Sequence, residues 1–162
     1  MKTFARLSFA ASAIMLAHAS PALAAGDYVS IVQETEIAAP ADGAWEKLKR
    51  YCDIGAWLKT TCEITSGKDG ELGAVRRIAG RIEEVIVAVT PMSYTYADVD
   101  PKIAYHGTVE IRPVNKARST IVYTLFFDQT SIPADQREAN RARRAAMFAG
   151  VLATMKGIAE TK

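Results

Sequence analysis

The stretch GAVRRIAGRIEEVIVAV, Gly73 to Val89, sets five charged side chains among β-branched residues: Arg76, Arg77, Arg81, Glu83 and Glu84. Two such runs around a glycine read as a hairpin. If the turn is centred on Gly80, Arg76 and Glu84 are equidistant from it and stand opposite each other. They then share one face with Ile78, Ile82 and Ile86, while Arg77, Arg81, Glu83 and Val85 take the other. A two-residue turn would shift the pairing by one and separate Arg76 from Glu84. On a buried face such an Arg and Glu make a charge-assisted pair that a polar ligand group can join. On the solvent face they are an ordinary salt bridge, worth little.

Tyrosines supply the other candidate groups. Tyr94 and Tyr96 fall on one strand face, as do Tyr105 and Gly107, and as do Ile121, Tyr123, Leu125 and Phe127. A phenol has an apolar body and one hydroxyl, which suits a pocket that stacks on a ligand and hydrogen-bonds it. Leu125 and Phe127 read more simply as core. His106 is the only histidine after residue 24 and the natural acid/base suspect near neutral pH. Alternation points it away from Tyr105 and Gly107, so it is expected at the surface. The sequence offers no Ser-His-Asp arrangement, no phosphate-cradling glycine loop and no metal-ligand cluster.

The elements that must position these groups follow from periodicity. Residues 30 to 38 alternate as a strand; Pro40 to Gly43 punctuates; Ala44 to Tyr51 has helical spacing, with Trp45 and Leu48 on one face. Asp53 to Leu58 reads as a second short helix or turn carrying Trp57. Strands are expected over 61–65, 74–79, 82–89, 93–99, 105–113 and 120–128, with Gly67 to Gly70, Asp100-Pro101 and Asn115-Lys116 as turn signals. From Ala134 to about Glu160 there is no proline, and the composition is that of one long helix. Ala142, Ala145 or Ala146, Ala149 and Ala153 recur along it at helical spacing. A face of small side chains on a curled sheet would leave volume for a ligand, unless the sheet's aromatics fill it.

The N-terminus reads as an export leader rather than fold. Lys2 and Arg6 precede an apolar run from Leu7 to Ala17, and Ala22-Leu23-Ala24 has the small-x-small form of a cleavage site. The run is too short for a permanent span. Removing residues 1–24 lowers Lys+Arg from 20 to 18 against 18 Asp+Glu, so the remaining net charge is about zero. Nothing in that balance suggests a polyanionic partner, since nucleic-acid binding needs a concentrated basic face. The charged run Arg137 to Arg144 includes Glu138 and reads as a solvated helix face, which disfavours membrane contact. Cys52 and Cys62 in an exported chain are expected to be bonded, two buried free thiols being the alternative.

In order and spacing these pieces resemble the START-like (SRPBCC) superfamily with the helix-grip fold, and among its members the exported bacterial proteins like polyketide cyclases/dehydrases. The matching residues are Pro40 to Trp45, Trp57, Gly73-Ala74-Val75-Arg76, Glu84, Tyr94-Thr95-Tyr96, Tyr105-His106-Gly107, Thr120 to Phe127 and the final helix. The resemblance implies an α+β fold, a seven-stranded antiparallel sheet curled around a long C-terminal helix, with two short helices after the first strand. It favours the register that pairs Arg76 with Glu84, since the matching Arg and Glu line the relatives' cavity, and it keeps Tyr123 among the lining residues. The family hosts several chemistries, so fold alone fixes none.

The expected reading is a leader over 1–24 and one domain over 25–162. Its internal cavity would bind a small hydrophobic molecule, aromatic or lipid-like, in the periplasm. Trp57, Arg76, Ile78, Glu84, Ile86, Tyr94, Tyr96, Tyr105, Tyr123, Ala149 and Ala153 are the expected lining. The alternative is a cyclase, dehydratase or lyase that uses Glu84 and a tyrosine, Tyr123 foremost, as acid and base. An accessory role to another exported protein ranks third. Neither cofactor nor metal is called for.

Overall fold

The computed structural model describes residues 26–100 and 104–161; the expected leader at residues 1–24 lies outside them. Seven strands are present: β1 (Tyr28–Ile37), β2 (Cys62–Ser66), β3 (Val75–Ile78), β4 (Ile82–Thr90), β5 (Ser93–Asp98), β6 (Tyr105–Asn115) and β7 (Arg118–Asp128). They form one antiparallel sheet in the order β1-β7-β6-β5-β4-β3-β2. After β1 come the short helices α1 (Ala41–Leu48) and α2 (Ile54–Leu58), the second entered through a 3₁₀ turn at Tyr51–Asp53. The chain ends in α3 (Arg137–Glu160), preceded by a 3₁₀ turn at Ala134–Gln136. This is the helix-grip architecture expected from the sequence.

Alternation decides which sheet face is covered. Tyr94 and Tyr96 of β5, Val109 and Ile111 of β6, and Ile121, Tyr123 and Leu125 of β7 are all buried. They form one core with Trp45 and Leu48 of α1 and with α3. Ala44, Trp45 and Leu48 sit three and four apart, so α1 presents a single apolar stripe to this core. α2 ends where Lys59 turns left-handed, at φ 53°. The Cys52–Cys62 disulfide then ties the turn before α2 to the first residue of β2.

The small-residue face of α3 does not do what its spacing suggested. Phe148, Val151, Leu152, Met155 and Ala159 are the buried residues of the helix. Ala149 and Ala153, expected to line a cavity, are exposed on the opposite side. Burying large apolar side chains gains more than burying alanines, so the bulky stripe sets the helix's rotation. Phe148 packs on Tyr123 with ring centroids 4.7 Å apart. Beyond Phe148 the interior along α3 is therefore filled by side chains.

The disulfide yields the first test. Unreduced, denatured protein should show no titratable thiol, and the double variant Cys52→Ser, Cys62→Ser should lose about 2.5 to 3 kcal/mol, the chain-entropy value for so short a loop. Two free thiols per chain would contradict it.

Candidate functional site

The hairpin that opened the sequence adopts the three-residue connection. Ile78 pairs with Ile82, Arg77 with Glu83 and Arg76 with Glu84. Ala79 and Gly80 both take positive φ, 50° and 68°, and the Arg81 N–H donates to the Ile78 carbonyl at 3.1 Å. Gly80 adopts this region freely, whereas Ala79 is held there at a cost on the order of 1 to 3 kcal/mol. This turn puts Arg76 and Glu84 on the inner face.

Both are buried, Arg76 at 0% and Glu84 at 5% exposure. Arg76 Nε and Nη2 donate to a single oxygen, Glu84 Oε2, at 2.8 and 2.6 Å, while Nη1 donates to the Tyr51 carbonyl. The guanidinium carbon lies 3.9 Å from the Tyr51 ring centroid and 4.5 Å from that of Tyr96. Such cation–π contacts contribute about 0.5 to 2 kcal/mol each. All three nitrogens of Arg76 thus donate within the protein. Glu84 is held through Oε2 alone: Oε1 accepts no hydrogen bond from the described residues.

Burial pushes the Glu84 carboxyl above the usual carboxylate range, because the charged form loses its hydration. The Arg76 charge and hydrogen bonds oppose this without overcoming it, and Asp98, its cross-strand neighbour, adds to the rise. The phenols around the pair are neutral. Burial raises Tyr94 to about 12 and Tyr105 to about 12, and lifts Tyr96 and Tyr123 well above their ordinary value.

Beside Glu84 opens a pocket of about 380 Å³. Its walls come from α2 (Ile54, Leu58), the β3–β4 hairpin (Ile78, Ile82), β5 and β6 (Tyr96, Asp98, Tyr105) and α3 (Arg144, Met147, Phe148). A surface recess of about 460 Å³ lies elsewhere, where Lys49, Arg50, Lys68, Asp69 and Glu71 surround Trp45 and Tyr94. It contains none of the buried charge, so the pocket at Glu84 is the candidate site.

Of the residues expected from the sequence, Ile78, Glu84, Tyr96 and Tyr105 come together in this pocket. Arg76 stands behind Glu84 and holds it. Tyr123 is wholly buried behind Tyr96, to which its hydroxyl bonds at 2.7 Å. Trp57 and Ile86 are core, and Tyr94 borders the other recess. Ala149 and Ala153 face away, as described. His106 lies on the outer sheet face against Phe126, centroids 6.0 Å apart. Among the described residues no group of three or more His, Cys, Asp or Glu could hold a metal ion, and no helix is long and apolar enough to cross a membrane.

Sequence reasoning missed Asp98, Arg144, Met147, Phe148 and the α2 residues. It also missed what Gly107 does. Gly107 pairs with Tyr96 across β5 and β6. A Cβ there would lie 2.2 Å from the Tyr96 ring and hydroxyl. The glycine is what lets that ring lie flat over the neighbouring strand and form the pocket floor.

Residues 28–160 match the family described as polyketide cyclase / dehydrase and lipid transport. The chain belongs to that family. Its fold is similar to that of norcoclaurine synthase from Thalictrum flavum, solved in complex with dopamine and hydroxybenzaldehyde. That likeness has 15% identity and a TM-score of 0.63, and covers 85% of this chain and 91% of the synthase. A Nitrosospira multiformis protein is similar at 17% identity and TM-score 0.64, over 80% of this chain and 94% of that one. A Thermobifida fusca protein is similar at 24% identity and TM-score 0.62, over 78% and 90%. At these identities the likeness shows the START-like fold. Among curated protein sequences none matches the chain.

Two tests follow from the pair. Arg76→Ala leaves Glu84 as an uncompensated buried charge and should cost about 3 to 5 kcal/mol in denaturant melts. Arg77 pairs with Glu63 and Glu83 at the surface, so Arg77→Ala should cost about 0 to 1 kcal/mol, and exposed Arg81→Ala no more. Equal small losses at all three would place the pair in water.

The second test is pH. With a folded pKa above the unfolded one, Glu84 contributes stability that is full below about pH 4.5 and is lost as pH rises through the raised value. The stability of the native protein relative to Glu84→Gln should therefore fall as pH rises above about 4.5. A gap that grows with pH would mean that Arg76 outweighs burial.

Proposed function

We propose that this protein binds a small hydrophobic molecule, aromatic or lipid-like, in the pocket between the β3–β4 hairpin, α2 and the first half of α3. The observation that carries this reading is the half-used carboxylate. Arg76 fixes Glu84 through one oxygen, and the other accepts no hydrogen bond among the described residues where Glu84 meets an apolar pocket. A carboxylate so held is a fixed acceptor for one hydroxyl or N–H of a ligand whose body contacts Ile54, Leu58, Ile78 and Phe148. The volume is within the ordinary range for small-molecule sites. Family membership supports the same class of function.

A second reading has its own observation. The raised Glu84 pKa keeps a carboxyl group closer to the range where it can take and return a proton, as an acid/base catalyst must. Under it the chain is a cyclase-, dehydratase- or lyase-like enzyme, with Glu84 moving the proton and Tyr105 or Tyr96, rather than Tyr123, touching the substrate. Norcoclaurine synthase is an enzyme on the same fold, which supports this possibility.

We further infer that the chain works outside the cytoplasm as a domain over 25–162. The leader pattern at residues 1–24 and the Cys52–Cys62 bond support this, since such bonds persist in oxidising compartments.

Native mass spectrometry of protein purified from its own host should show a retained small molecule. Glu84→Gln should fold but weaken a hydroxyl-bearing ligand by about tenfold or more, the worth of a charge-assisted hydrogen bond. If the protein is an enzyme, the variant still binds and turnover stops. Unchanged affinity and no turnover in either form would remove Glu84 from the function.

A further inference from the structure

Two cavities meet at one arginine. The pocket at Glu84 and a second recess of about 440 Å³ share Tyr105 and Arg144 in their walls. The second recess is the more polar in its residues, with Asp128, Thr130, Ser131 and Asn140. Arg144 therefore stands on the lip between an apolar chamber and a polar one.

Its placement is held from two sides. The guanidinium carbon lies 4.5 Å from the Phe127 ring centroid and 5.7 Å from that of Tyr105. Nε donates to Asn140 Oδ1 at 2.9 Å, one helical turn back on α3. Its terminal nitrogens make no ion pair among the described residues. Of the acidic groups nearby, Asp128 has Oδ1 occupied by the N–H and hydroxyl of Thr130. Asp98 lies on the wall formed by β5, next to Glu84 across the strands. A guanidinium laid on aromatic faces still presents its N–H edge to a planar anion, and carboxylate is the group that the fork fits best.

We propose that Arg144 is the anion-recognising end of the site, and that the ligand is an amphipathic carboxylate. Its apolar body fills the pocket, a hydrogen-bond donor meets Glu84 at the inner end, and its carboxylate reaches Arg144 at the lip. This rests on the ligand-binding reading above and narrows it to a chemical class.

The test uses a neutral dye, Nile red, bound to the protein and displaced by 3-(4-hydroxyphenyl)propanoate or by its methyl ester. The native protein should take the acid about tenfold more tightly than the ester, and only the acid should weaken as salt is raised. Arg144→Gln should lose that preference and leave the ester unchanged; Arg144→Lys should keep part of it. Arg143→Gln, one residue along and outside both cavities, should alter neither. Equal affinities for acid and ester in the native protein overturn the proposal while leaving the ligand-binding reading standing. So does an equal loss of both probes in Arg144→Gln, since that would make Arg144 a packing residue. Failure of both probes to displace the dye from the native protein counts against both.

Discussion

Among the described residues one ion pair is buried, Arg76 with Glu84, and the candidate site is built around it. Removing two charges from water costs several kcal/mol per ion even after relaxation, and attraction between them repays this only when the remaining hydrogen-bonding capacity is also met. Arg76 comes near that condition, with each of its three nitrogens donating to Glu84 or the Tyr51 carbonyl and with the rings of Tyr51 and Tyr96 beside it. Glu84 meets it only by half. A fold selected for stability alone would do as well with two apolar side chains here, because replacing a buried pair is often neutral or stabilising. An acceptor beside a pocket with no hydrogen bond among the described residues therefore points to chemistry rather than to packing.

The remaining elements place that acceptor. The turn at Ala79 and Gly80 fixes the register that makes the pair possible. α2, whose preceding turn the disulfide ties to β2, closes one side of the pocket, and Gly107 leaves room for Tyr96 to line it. Tyr123, hydrogen-bonded to Tyr96 from behind, locks the ring's direction without reaching the ligand space. Binding and catalysis make different demands on this arrangement. A binder needs Glu84 charged and still; an enzyme needs it able to change its protonation. The opposing pulls of burial and Arg76 set where between these limits the carboxyl rests.

Much of this was legible in the sequence, for identifiable reasons. Strand and helix order follows from alternation and turn residues, which are local. The position of Gly80 allowed the pairing of Arg76 with Glu84 as one of two registers, and the family resemblance favoured it. What failed was long-range. The rotation of α3 depends on which of two stripes, bulky or small, buries more surface, and the alanine stripe lost to Phe148, Val151, Leu152 and Met155. Weighing side-chain size would have found that face. Asp98 joined Glu84 through a strand pairing that passes a bulge between Ile86 and Ala88, and no sequence pattern announces it. Tyr51 holds Arg76 through its carbonyl and ring face, a backbone role invisible in residue type.

The central claim is that Glu84 is a desolvated carboxylate with one oxygen held and one open to the pocket. Carbon-13 NMR of the Glu84 side-chain carboxyl, assigned by its absence in Glu84→Gln, reports both properties at once. Its titration midpoint should lie above the ordinary glutamate value of about 4.3, and its resonance should move when a hydroxyl-bearing ligand enters. A midpoint at or below that value, with a resonance indifferent to a ligand that demonstrably binds, would contradict the account.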